Sequence, residues 1–149
     1  MPDIVYLNGK FMPIEEAHVP VLDRGFIFGD GIYEVIPVYR RKPFRGEGHM
    51  KRLARSLAAV EIPNPYSEAR WMELIAEIIA RQPFENQAVY FQVTRGVAPR
   101  DHVMTEGITP TVFMMSNPMR QASADQRHHG VACVTARDFR WERGDIKST

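Results

Sequence analysis

Two stretches of helical periodicity, separated by a double proline break, constrain this chain most. In HMKRLARSLAAV (49–60) the apolar residues Met50, Leu53, Leu57 and Val60 recur at intervals of three and four, with Ala54 beside them. A second stripe runs through Trp71, Leu74, Ile75, Ile78 and Ile79. Pro63-Asn64-Pro65 stops the first helix, and Ser67 is a suitable N-cap for the second. Each helix therefore has one apolar stripe to bury and one polar face for solvent, so both need another layer to lie on.

The rest of the chain supplies that layer as strands. IVYL (4–7) is a short apolar strand, Asn8-Gly9 is a favoured two-residue hairpin turn, and KFM leads out of it. GIYEVIPVYR (31–40) is rich in β-branched and aromatic residues, and its Pro37 implies that one side of the strand is unpaired or bulged. QAVYFQVTRG (87–96) and TPTVFMMSN (109–117) read as further strands. VLDRGFIFGDG (21–31), with three glycines, reads as a loop, and Arg41, Lys42 and Pro43 as a turn. The order β-β-β-α-α-β-β predicts an α+β fold of two layers, a sheet covered by helices on one face. PMRQASADQRHHG (118–130) is polar and without apolar period, and reads as a linker. VACVTARDFRW (131–141) reads as a new strand. The expected organisation is a small domain over 1–117, a linker over 118–130, and the incomplete opening of a larger domain over 131–149.

Composition narrows the function classes. With 149 residues, 44% apolar and 25% charged, the chain suits a globular domain with a sizeable core. The net charge of +1 carries no polybasic signature for nucleic acid or an anionic membrane. No apolar run reaches membrane-spanning length, and the N-terminus lacks the basic and apolar regions of a signal peptide. The single Cys133 excludes an intramolecular disulfide and favours a reducing, cytoplasmic setting.

Several residues are candidates for chemistry. Arg100 and His102 lie two apart after a strand. In extended chain both point one way, and a guanidinium fork beside an imidazole receives a carboxylate well; the alternative is a solvated loop. Tyr33 opens a strand after a glycine-bracketed turn and is either a phenol donor in a pocket or, alternating with Val35, a core residue. The glycines there lack the spacing of a dinucleotide-binding loop. Lys51 and Arg55 read as a solvated basic face, whereas Arg52 either joins them or reaches a phosphate. Lys147 must lose its proton to be a nucleophile, and Asp145 two residues away favours the charged form. His128 and His129 have no partner at metal-ligand spacing and read as solvated, and Cys133 as a small core residue.

Taken together, four segments in order carry a resemblance. DRGFIFGDGIYEVIPVY (23–39), HMKRLARS (49–56), VYFQVTRGVAPRDH (89–102) and RWERGDIKS (140–148) resemble the class IV pyridoxal phosphate aminotransferases of fold type IV. Within them, the Arg-x-His pair resembles the D-amino acid enzymes rather than branched-chain aminotransferases or aminodeoxychorismate lyases. The resemblance implies exchange of an amino group between a D-amino acid and a 2-oxo acid through pyridoxal phosphate, in a ping-pong cycle. It implies that Lys147 binds the cofactor covalently and moves the proton at the substrate α-carbon. Arg52 would contact the cofactor phosphate, and Tyr33, Arg100 and His102 would trap the substrate α-carboxylate. A homodimer is implied, with Arg100 and His102 reaching the partner's active site. Family members continue well past the lysine and complete the cofactor pocket there, so this chain is expected to be an inactive N-terminal portion. Two other readings stand beside this one. A non-catalytic module could self-associate through an open strand at 131–136. A related enzyme could act on L-branched-chain or amine substrates, against which Arg100 and His102 argue.

Overall fold

The computed structural model describes residues 4–103 and 106–146. The elements run β1 (Ile4–Leu7), β2 (Lys10–Pro13), α1 (Arg24–Phe28), β3 (Gly31–Tyr39), β4 (Lys42–Pro43), α2 (Gly46–Ala59), α3 (Glu68–Ala80), β5 (Gln87–Thr94), β6 (Thr111–Pro118) and α4 (Ala124–His129). The strands form one sheet in the order β2-β1-β6-β5-β3-β4, and every pair is antiparallel. The chain divides into two units, Met1–Met119 and Arg120–Thr149.

In the first unit the expected two layers are present. The stripes of α2 and α3 bury Leu53, Leu57, Trp71, Leu74, Ile75 and Ile78 against Ile36, Val38, Val89, Phe91, Val93 and Met114 of the sheet. Trp71 meets Phe91 with ring centroids 5.1 Å apart, and its indole N–H donates to Asn64 Oδ1 at 2.9 Å. The proline break thus anchors the helix that follows it. The β1–β2 turn holds Asn8 and Gly9 at φ 45° and 95°, the paired positive values that a two-residue hairpin requires. Pro37 behaves as its chemistry demands. Its carbonyl accepts from Phe44 N at 2.8 Å, so the N–H it lacks would point to the same outer edge, where β4 pairs only Val38 and Tyr39.

Arginines from the sheet cap the C-termini of both long helices. Arg40 and Arg41 form the β3–β4 turn at φ 49° and 61°, a region costly for side chains other than glycine and asparagine. The offset is visible in Arg41, whose guanidinium donates to the carbonyls of Ile79, Ala80, Gln82 and Phe84 at 2.9–3.2 Å. Ile79 and Ala80 lie in the last turn of α3, whose carbonyls have no following helical N–H groups, and Gln82 and Phe84 lie in the loop just beyond it. Arg95 acts similarly just past α2, donating to the carbonyl of its C-cap Val60 at 2.7 Å and to that of Glu61 at 2.8 Å. Arg41→Ala is expected to lower stability by roughly 2 kcal/mol, read as a shift of the urea midpoint. Arg41→Lys should recover little, because an ammonium cannot span four carbonyls.

Six expectations need correction. The 21–31 loop contains α1, capped by Asp23, which accepts from Gly25 N at 2.8 Å, and ended by Gly29 at φ 64°. The 41–43 turn holds the short strand β4, and α2 begins at Gly46, ahead of the apolar period. In the second unit the polar 118–130 segment contains α4, which a capping box between Ser123 and Gln126 starts. No strand forms over 131–141, and Cys133 is exposed rather than a core residue. A strand needs a ladder partner, and the described residues of this unit offer none. The self-association reading loses its edge strand at 131–136 with it. His128 and His129 are exposed, as expected.

Candidate functional site

β3 and α2 build the first part of the site. Glu34 lies on the face of β3 that also carries Ile36 and Val38, and its side chain is only 3% exposed. It is not alone there. Arg52, from α2, donates through Nε to Glu34 Oε1 and through Nη2 to Oε2, both at 2.7 Å. His49, one helical turn earlier, places Nδ1 2.7 Å from Oε2. Burial alone would push the Glu34 carboxyl up, but the hydrogen bonds from Arg52 and His49 outweigh it and hold it below its usual range. As a carboxylate Glu34 only accepts, so His49 donates from Nδ1. The 3.3 Å approach of Arg52 Nη2 to that nitrogen therefore sets two donors side by side rather than making a bond. Arg52 Nη1 has no hydrogen-bond partner among the described residues, and the side chain is 56% exposed. Arg52, Tyr33 and Ser56 border one open depression of about 470 Å³.

Tyr33 lies on the opposite face of β3 from Glu34, and at 66% exposure it is not a core residue. Its alternation with Val35 is real, but both belong to the face that the helices leave uncovered. Tyr33 stacks on Tyr90, with centroids 5.9 Å apart. Burial and the neighbouring Tyr33 raise the Tyr90 phenol, which donates to Gln92 Oε1 at 2.6 Å. Tyr33, Tyr90, Gln92 and Thr94 line a cavity of about 150 Å³ beside Gly29 and Gly31.

Arg100 and His102 meet on one ring. The Arg100 guanidinium lies 5.3 Å from the Phe28 centroid, and the His102 ring 5.7 Å from it. Arg24 covers the same ring at 4.8 Å and donates Nη1 to the backbone carbonyl of Asp101 at 2.9 Å. Its Nε in turn binds Asp30 Oδ2 at 2.8 Å, where Arg95 Nε also arrives at 2.8 Å. The 100–102 segment is therefore tied to α1 and to the end of β5. Two pairs result: Tyr33 with Arg52, and Arg100 with His102. Among the described residues no hydrogen bond or ring contact joins one pair to the other. Lys147 lies outside the described residues. Glu34 and His49 were not read from the sequence as functional. The signal was there: an acidic residue in phase with Ile36 and Val38, and a histidine and an arginine three apart on the facing helix.

A family model described as amino-transferase class IV matches residues 31–149, and the chain belongs to that family. The D-alanine aminotransferase of Bacillus licheniformis is 40% identical over 144 residues, covering 97% of this chain and 50% of that protein. This chain thus spans about half the length of the curated relatives it matches. Among solved structures, the branched-chain amino acid aminotransferase of Escherichia coli superimposes with a TM-score of 0.77 at 22% identity, over 84% of this chain and 43% of that one. A T.th. branched-chain amino acid aminotransferase with pyridoxamine 5'-phosphate gives 0.76 at 22% identity, over 85% and 43%. At such identities these two show a common fold, the α+β layer of the fold type IV aminotransferases.

Proposed function

We propose that this chain carries the substrate-holding part of a pyridoxal phosphate-dependent D-amino acid aminotransferase that works as a cytoplasmic homodimer. The observation that carries this reading is the depression bordered by both Tyr33 and Arg52, where a guanidinium whose Nη1 has no partner among the described residues lies open to an anion. A phosphate fits that donor set, since it is an acceptor of charge-assisted hydrogen bonds. The D-alanine aminotransferase relative, similar over 97% of this chain, supports the substrate class. The pyridoxamine 5'-phosphate that accompanies one structural relative supports the cofactor.

The division of labour follows from the residues. Arg52 holds the phosphate. Tyr33 donates a phenol hydrogen bond to the α-carboxylate of the amino acid. Arg100 and His102, presented on Phe28, hold that carboxylate in the second subunit's site. Fixing the carboxylate on one side decides which hydrogen of the α-carbon faces the Lys147 amine, so D-specificity arises from orientation rather than from special reactivity. That amine must be uncharged to take the proton. Pyridoxal phosphate, when bound, supplies the electron sink for the transfer.

The test is turnover by the full-length gene product that carries this chain. D-alanine with 2-oxoglutarate should give pyruvate and glutamate, and L-alanine should react roughly 100-fold more slowly, the scale of the loss when a reacting group is misplaced by about 1 Å. Equal rates for the two enantiomers, or preference for L-leucine, would transfer the chain to the L-branched-chain reading.

A further inference from the structure

We propose that Glu34 is a positioning residue for anion binding at Arg52: its carboxylate grips the Nε and Nη2 edge of the guanidinium and leaves Nη1 as the free donor. The proposal rests on the reading of Arg52 as the phosphate contact and adds how that contact is made selective.

The argument begins with cost. A carboxylate that is 3% exposed on the covered face of a strand is expensive, and an apolar side chain in phase with Ile36 and Val38 would pack there without that cost. What Glu34 provides instead is geometry. Arg52 projects from the solvent side of α2, where a free arginine samples many rotamers. Two parallel bonds of 2.7 Å to Glu34 fix its plane. His49 holds Oε2 from the side at 2.7 Å, so the carboxylate itself cannot swing.

Charge alone predicts the opposite of this proposal. Glu34 neutralises Arg52, so an anion attracted only by net charge would bind better without it. The two accounts therefore part at a charge-matched substitution. Glu34→Asp keeps the negative charge but is one methylene shorter, so both bonds cannot be kept at their present length. Glu34→Gln removes the charge and leaves one acceptor oxygen.

The experiment titrates inorganic phosphate into the isotopically labelled chain and follows the Arg52 Nε–Hε resonance together with the backbone amide fingerprint. Partners that orient a ligand-binding group commonly matter by a factor of ten or more, so Glu34→Asp should weaken phosphate about tenfold, with the amide fingerprint retained. Glu34→Gln should also weaken it, despite the added positive charge. Wild-type affinity in Glu34→Asp, with tighter binding in Glu34→Gln, would overturn positioning in favour of simple charge. Arg52→Ala, followed through the backbone amides, tests the underlying reading separately. If it retains wild-type phosphate affinity, or if the wild-type chain shows no response, Arg52 is not the phosphate contact and both readings fall. Should Glu34→Asp not fold, His49→Ala removes the lateral bond to Oε2, leaving only that from Arg52, without altering the strand. It should weaken phosphate in the same direction, and unchanged affinity would overturn the proposal.

Discussion

Asp30→Ala is expected to destabilise the first unit by about 3–5 kcal/mol, the scale for removing one partner of a buried ion cluster. Asp30 accepts from Arg24 Nε at 2.8 Å and from Arg95 Nε and Nη2 at 2.8 and 3.1 Å. The side chains of Arg24 and Arg95 are 8% and 10% exposed. Without Asp30 each would hold a guanidinium in a poorly hydrated place, keeping only its bonds to backbone carbonyls. Denaturant unfolding measures the effect, and a loss below about 1 kcal/mol would mean that water replaces the carboxylate at little cost. The same cluster predicts a pH dependence. Burial would raise the Asp30 carboxyl, but the bonds from Arg95 and then Arg24 outweigh it and lower it, as Arg52 and His49 do for Glu34. A carboxyl lowered in the folded state stabilises fully above its unfolded value, about 4. The contribution is then lost as the pH falls from there through the folded value. The melting temperature should drop over that acidic window, and it should drop less in Asp30→Asn.

Gly96→Ala is expected to cost about 3 kcal/mol or more, combining a strained backbone with an overpacked site. Gly96 has φ 107°, and a Cβ there would run into the carbonyl oxygen of Thr109 and lie 2.9 Å from the Ile108 side chain. Its own carbonyl accepts from Arg24 N at 2.8 Å, so the backbone cannot shift without disturbing α1. Gly107→Ala is the control. It has φ 75° but nothing among the described residues within 4 Å of an added Cβ, so it should cost only about 1 kcal/mol. Equal effects of the two in thermal unfolding would remove crowding from the explanation. Because Gly96 leads into the segment that carries Arg100 and His102, a tolerated substitution should still disturb the ring contacts on Phe28.

What could be read from the sequence was what repeats or what has a local turn chemistry. The stripes of α2 and α3, the Asn8-Gly9 turn and the three long strands all announce themselves within a few residues. α1 has five residues and β4 two, too few to show a period. The arginine turn at 40–41 runs against turn preference and is explained only by four carbonyls 38 to 43 residues away. Alternation placed Tyr33 and Val35 on one face correctly, but period says nothing about which face a second layer covers. The 131–141 segment had strand composition without a strand's partner. At the site, Tyr33, Arg52, Arg100 and His102 came from resemblance, since each alone looked like surface or core. Glu34 and His49 emerged only when β3 and α2 were laid against each other.

The Arg24–Asp30–Arg95 tie bears on the entropy of ligand capture. In the role proposed for Arg100 and His102, segment 100–102 would ordinarily lose conformational freedom each time its side chains closed on a carboxylate. Here Arg24 already clasps the Asp101 carbonyl, and Arg95 fastens the same knot to the carbonyls just past α2. The ordering is therefore completed when the chain folds rather than when the ligand arrives. Affinity at Arg100 and His102 should then depend on residues that never touch the ligand.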